Sequence, residues 1–133
     1  MAHTGETWLK KTLRAGLTRN GVIVKSNPAG PEAVPGWPDW YVASYHWSGW
    51  IELKWGRNRP SEIQRHVIKQ LSIRRVHCCV ITAQEHLNEL VVEFDIRLMK
   101  AFEPEIWDLH RNALMAMLAP ACKLVVSYKY LEE

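Results

Sequence analysis

Leu9, Leu13 and Leu17 recur at i, i+4 and i+8, which lays one apolar stripe along a helix spanning about 5–19. Thr4 offers a cap at its start. Asn20-Gly21 ends it, glycine being favoured just past a helix C-terminus. Residues 21–25 then read as a short strand. Pro28, Gly30, Pro31 and Pro35 force a loop before Trp37. Two further strands are predicted over 39–44 and 50–55, joined by a loop at 45–48. Residues 56–60 turn the chain. Ser61 and Gln64 form the S-x-x-Q capping box that opens a second helix, with Ile63, Val67 and Leu71 on its apolar face as far as about Arg75. The continuous, β-branched run 76–83 predicts a buried strand. Thus the first 83 residues read α-β-β-β-α-β. A strand (89–96), a helix (104–118) and a strand (123–130) complete the pattern. The expected class is α/β, with a mixed sheet flanked by helices and an additional C-terminal β-α-β segment.

The length of 133 residues fits one domain with a real core. Its apolar runs fall far short of the ~20 residues of a membrane span, and 1–14 lacks the basic-then-apolar order of a signal segment. Three cysteines, two of them adjacent at Cys78 and Cys79, argue against a disulfide framework and for a reducing, cytoplasmic setting. The six histidines lack the short paired spacings of zinc sites. No glycine-rich phosphate loop and no G-x-S-x-G elbow is present, so neither a nucleotide cofactor nor serine-hydrolase chemistry is expected.

Charge adds an asymmetry that the net value of +3 conceals. Residues 1–83 carry 12 Lys and Arg against 5 Asp and Glu, whereas 84–133 carry 5 against 9. A basic front section fits a polyanionic partner and equally a solvated surface on which charges cluster.

The chemistry concentrates in Pro38-Asp39 and, after twelve residues, Glu52-Leu53-Lys54. Glu52 and Lys54 are two apart on a strand and share a face. A loop at 45–48 would set Asp39 opposite Lys54, with Glu52 as its diagonal neighbour at ~7–8 Å between Cα atoms. A two-residue shift keeps the face; a one-residue slip destroys the site. Asp39 and Glu52 supply hard anionic oxygens for a divalent cation, and the Leu53 backbone carbonyl can add a third ligand. Lys54 then either orients a water or, partly desolvated, acts as a base. Such a set can hydrolyse a phosphodiester. Taken alone, an E-x-K triplet is equally an ordinary exposed pair on a strand.

The run from Gly36 to Asp39, the run from Ile51 to Lys54, and Gln64 on the next helix resemble the PD-(D/E)xK nuclease superfamily, closest to the small stand-alone VRR-NUC and Holliday-junction-resolvase-like enzymes, many of them phage-encoded. The likeness covers about residues 4–83. It implies a restriction-endonuclease-like core, with 84–133 as an extension and possible dimerisation segment. It further implies Asp39 and Glu52 as metal ligands, Lys54 as the catalytic lysine, Gln64 as a supporting residue, and Glu6, the leading helix's glutamate, as a further metal ligand. Mg²⁺ or Mn²⁺, a homodimer, branched or junction DNA, and the cytoplasm of a bacterium or a phage-infected host follow from the same likeness. From the residues themselves, Gln64 is already explained by its capping box, while Glu6, on the inward stripe of its helix, either needs a metal or a lysine nearby or gains from the helix dipole.

Five tryptophans fall between 37 and 55: as core, as base-stacking surface, or as dimer interface. Trp47, in the expected hairpin loop, reads as interface or DNA contact. Lys10, Lys11, Arg14, Arg57, Arg59, Arg65 and Lys69 are candidates for a groove that binds phosphates without reading sequence. Two rival functions fit the same residues: a DNA-binding module without catalysis, and a partner-binding protein acting through its acidic C-terminal half.

Overall fold

The computed structural model describes residues 5–27, 34–95, 104–122 and 124–127. The elements run α1 (Gly5–Arg19), β1 (Ile23–Ser26), β2 (Trp40–Ala43), β3 (Ser48–Trp55), α2 (Glu62–Ile73), β4 (Cys78–His86), β5 (Glu89–Asp95), a 3₁₀ turn (Pro104–Ile106), α3 (Trp107–Leu118) and β6 (Leu124–Ser127). The protein is therefore α/β, and its first six elements follow the α-β-β-β-α-β order that the hydrophobic pattern predicts. Residues 96, 123 and 128–130 of the expected strands lie outside the described residues.

Six strands form one sheet in sequence order. β1, β2 and β3 pair antiparallel, β4 runs parallel to β3, β5 is antiparallel to β4, and β6 is parallel to β5. The parallel β3–β4 step is possible because α2 carries the chain back across the sheet.

Alternation along the strands divides the core between two faces. Trp40, Val42, Ile51, Leu53, Cys79, Ile81, Val92 and Phe94 face Leu9, Leu13 and Leu17 of α1 and Leu114, Met117 and Leu118 of α3. On the other face, Ile68 of α2 packs on Cys78 and Val80, with Trp50 and Leu71 against them. α1 ends as its Asn-Gly predicts. Gly21 adopts φ +84°, and Gly21 N donates to Thr18 O while Val22 N donates to Leu17 O, both at 3.0 Å. Near its end α1 meets the chain after α3 at Gly16, where a Cβ would collide with the Ala121 carbonyl.

Two expectations are corrected. α2 buries Ile68 and Ser72 most fully; of the expected stripe Leu71 packs against that core, while Ile63 is 52% exposed. Ile63 and Val67 instead flank Gly36 of the preceding loop, whose φ of +81° leaves its Cβ position filled by their side chains. Trp47 is 4% exposed, with its ring stacked on His77 at 6.2 Å between centroids. Its place in the loop does not expose it, because the hairpin turn folds it back onto the sheet, so its reading as an interface or DNA contact falls. Among the described residues no helix is long and apolar enough to cross a membrane.

Candidate active site

The β2–β3 hairpin sets the site. Its last pair is Ala43 with Ser48, so the loop occupies 44–47, one residue earlier than the pattern suggests. Ser44 causes this: its hydroxyl accepts from His46 N and Trp47 N and donates to Trp47 O at 2.6 Å, closing the turn on itself. The register pairs Trp40 with Ile51 and, continued one residue, brings Asp39 across from Glu52. The expected partner was Lys54; the two-residue shift keeps the face and shortens the reach, making the two acids direct cross-strand neighbours.

The same register sets Pro38 against Leu53. Proline ends the ladder, and the Asp39 carboxylate takes over: Leu53 N donates to Asp39 Oδ2 at 2.9 Å. Asn27 N donates to the Asp39 carbonyl at 2.7 Å. Backbone from two neighbouring segments thus fixes Asp39 at the start of β2.

Glu52 is 2% exposed. Its Oε2 lies 3.2 Å from Lys54 Nζ, while its Oε1 is buried and meets no hydrogen-bond donor among the described residues. Burial pushes this carboxyl up to about 7; the charge of Asp39 adds to the rise, Lys54 opposes it, and Glu6 adds a little. An unsatisfied buried carboxylate oxygen is costly. A cation bound there would satisfy it.

α1 supplies the third part. Lys10 Nζ lies 3.1 Å from Glu6 Oε2 and 3.3 Å from Asp39 Oδ1. Burial pulls this ammonium's pKa down, but the bond to Glu6 and the charges of Asp39 and Glu6 outweigh it and leave it raised. Glu6 is therefore a half-exposed acid compensated by a lysine one turn on. Lys10, expected among the phosphate contacts of the groove, sits in the site instead. The i,i+4 spacing of Glu6 and Lys10 is the sequence signal for this pair.

Asp39, Glu52, Lys54, Glu6 and Lys10 are thus brought together. Gln64 is not: its Oε1 accepts from Ser61 N at 2.8 Å while Ser61 Oγ accepts from Gln64 N. This is the capping box its spacing predicts, and the bond gives Gln64 a role in starting α2. Arg14 is also diverted. Its guanidinium donates to Ser26 Oγ and Val24 O and lies 6.0 Å from the centre of the Trp40 ring, tying α1 to the sheet. Lys11, Arg57, Arg59, Arg65 and Lys69 are exposed. Arg57 and Arg59 line a cleft of about 420 Å³ with Thr82, Gln84 and Glu93. Thr82 is the register partner of Lys54, so the cleft opens beside the lysine.

Aromatic side chains occupy the same face on the other side of the acids. Trp50, two residues before Glu52, meets Trp37 at 5.4 Å and Tyr41 at 5.3 Å, both edge to face. Trp37 and Tyr41 remain partly exposed.

Among the described residues no three His, Cys, Asp or Glu side chains converge as a metal cage. The donor set is instead two carboxylates, one with an oxygen in want of a partner. That set fits Mg²⁺ or Mn²⁺, since magnesium is commonly held by one or two carboxylates with water and substrate phosphate completing its shell. No protein-family model, curated protein or solved structure matches this chain.

Proposed function

We propose that this protein is a divalent-metal-dependent DNA endonuclease with a restriction-endonuclease-like core. The observation that carries the reading is that Asp39, its Oδ2 bonded to Leu53 N, is held beside Glu52, with Lys54 bonded to one oxygen of Glu52 and the other oxygen buried without a donor among the described residues. The sheet order supports it too: three antiparallel strands, then a parallel fourth reached through α2. When bound, a hard divalent cation supplies Lewis acidity to water and to the phosphoryl oxygens.

The chain's own residues do the rest. Asp39 and Glu52 hold the cation. Lys54, anchored by Glu52, orients the attacking water or takes its proton. Arg57 and Arg59, at the mouth of the neighbouring cleft, bind backbone phosphates on one side of the cut. Trp37 and Tyr41 offer aromatic surface to a base beside the acids, and stacking of this kind needs an unpaired base. This favours branched or otherwise distorted DNA, on which two copies of the chain would act together.

The test is cleavage of branched, single-stranded and linear duplex DNA in Mg²⁺ or Mn²⁺, beside Asp39→Asn and Lys54→Met. The expected result is metal-dependent cutting, fastest on substrates with unpaired bases, that falls at least a hundredfold in each variant. One observation favours a second reading, DNA binding without catalysis: Lys10 already neutralises Asp39. DNA binding with no cutting under any metal would establish that reading.

A further inference from the structure

The position that a metal ion would take beside Asp39 is already held by a positive charge. Lys10 Nζ shares itself between Glu6 and Asp39 at 3.1 and 3.3 Å. With Lys54 on Glu52, two ammonium groups face three carboxylates, so most of the cluster's negative charge is offset without an added ion. Both Asp39 oxygens are engaged, Oδ1 by Lys10 and Oδ2 by Leu53 N, so a dication drawn onto Asp39 meets the repulsion of the Lys10 ammonium, whereas Glu52 keeps one oxygen apart from Lys54 for the ion.

We propose that Lys10 is a built-in competitor for the divalent cation, neutralising Asp39 in the ion-free protein and swinging away when the ion enters. It thereby sets the ion concentration at which the site fills. This rests on the metal-site reading above and concerns how that site is regulated.

The two lysines differ in a way that suits Lys10 to this part. The Lys54 side chain is 15% exposed and bonded to a buried partner, so releasing it would strand a charge. The Lys10 side chain is 38% exposed, at the rim of α1, and its Glu6 partner is as open. Its head can move into water on four flexible carbons at little cost. Lys10 is thus held by charge rather than by packing. Released, it carries its charge toward the solvent side of the site, where substrate phosphate must approach.

Calorimetric titration with Mn²⁺ tests this on the wild type, Lys10→Met, Lys10→Arg, Lys11→Met and Asp39→Asn, with thermal melts of each in EDTA and in excess Mn²⁺. Lys10→Met is expected to bind Mn²⁺ at least tenfold more tightly than the wild type and to gain more melting temperature from the ion. Lys10→Arg should bind as the wild type does. Lys11→Met removes an equal charge one residue away and should change affinity less than threefold. Asp39→Asn should lose binding. The EDTA melts report whether Lys10→Met is folded; Lys10→Gln replaces it if not. Unchanged or weaker Mn²⁺ affinity in the Lys10 variant, with binding still lost in Asp39→Asn, overturns the competitor role and leaves the ion site standing. Binding by none of the proteins, or equal binding by Asp39→Asn, overturns the ion site itself.

Discussion

A carboxyl group buried on an interior strand of a sheet has to be satisfied or kept neutral, and Glu52 is the residue where this choice decides behaviour. Its pKa in the folded chain, about 7, stands above the ordinary 4.5, first because burial disfavours the charge and then because Asp39 repels it. The linkage therefore runs one way. The contribution is fully present below about pH 4.5 and is lost as pH rises through about 7, where the ionised group costs about 3 kcal/mol. Denaturation midpoints at pH 5 and pH 8 should show the wild type losing stability relative to Glu52→Gln, and added Mg²⁺ should restore the loss in the wild type alone. Parallel pH profiles for the two proteins would remove this role from Glu52. The cysteines offer a second check at this scale. All three are free, and burial pushes the Cys78 and Cys122 thiols up to about 12 and Cys79 well above its ordinary value. Thiolate is the reactive form, so a thiol reagent at pH 8 should label the folded protein far more slowly than the unfolded chain; equal rates would contradict the burial.

Among the elements, what the sequence discloses depends on whether the signal is local. α1 is legible at both ends because its leucine stripe and its Asn-Gly stop are contained in the helix itself. The capping box of α2 is likewise read from Ser61 and Gln64 alone. This makes a clean prediction: Ser61→Ala and Gln64→Ala should each lower stability by about 1 kcal/mol, since the same reciprocal pair carries both bonds. A Gln64 acting at the site would instead lower cleavage with stability intact. Long-range facts were hidden. The hairpin register turns on the Ser44 hydroxyl closing its own turn, which parity cannot foresee, though parity did put Asp39 and Glu52 on one face. The buried face of α2 is set by Gly36 pressing on Ile63 and Val67, and Trp47 is buried by a turn that only the folded chain contains.

At the scale of the whole molecule, charge separates into a part that holds the fold and a part that faces a partner. Arg14 belongs to the first, through bonds that composition alone cannot reveal, and Lys10 is held within the site by Glu6 and Asp39. Arg57 and Arg59 belong to the second, exposed at the cleft beside Lys54. If they meet phosphates, Arg57→Ala and Arg59→Ala should each weaken DNA binding alike for all sequences and flatten the plot of log affinity against log salt by about one unit. A slope unchanged in both variants would place the DNA elsewhere. The claim beneath all of this is that Asp39 and Glu52 grip a single cation. Anomalous diffraction from a crystal soaked in Mn²⁺ tests it most directly. The account predicts one strong peak between Asp39 and Glu52, with Lys10 withdrawn from Asp39. A peak bound by other residues, or no peak between these acids under Mn²⁺ concentrations that support cutting, would contradict it.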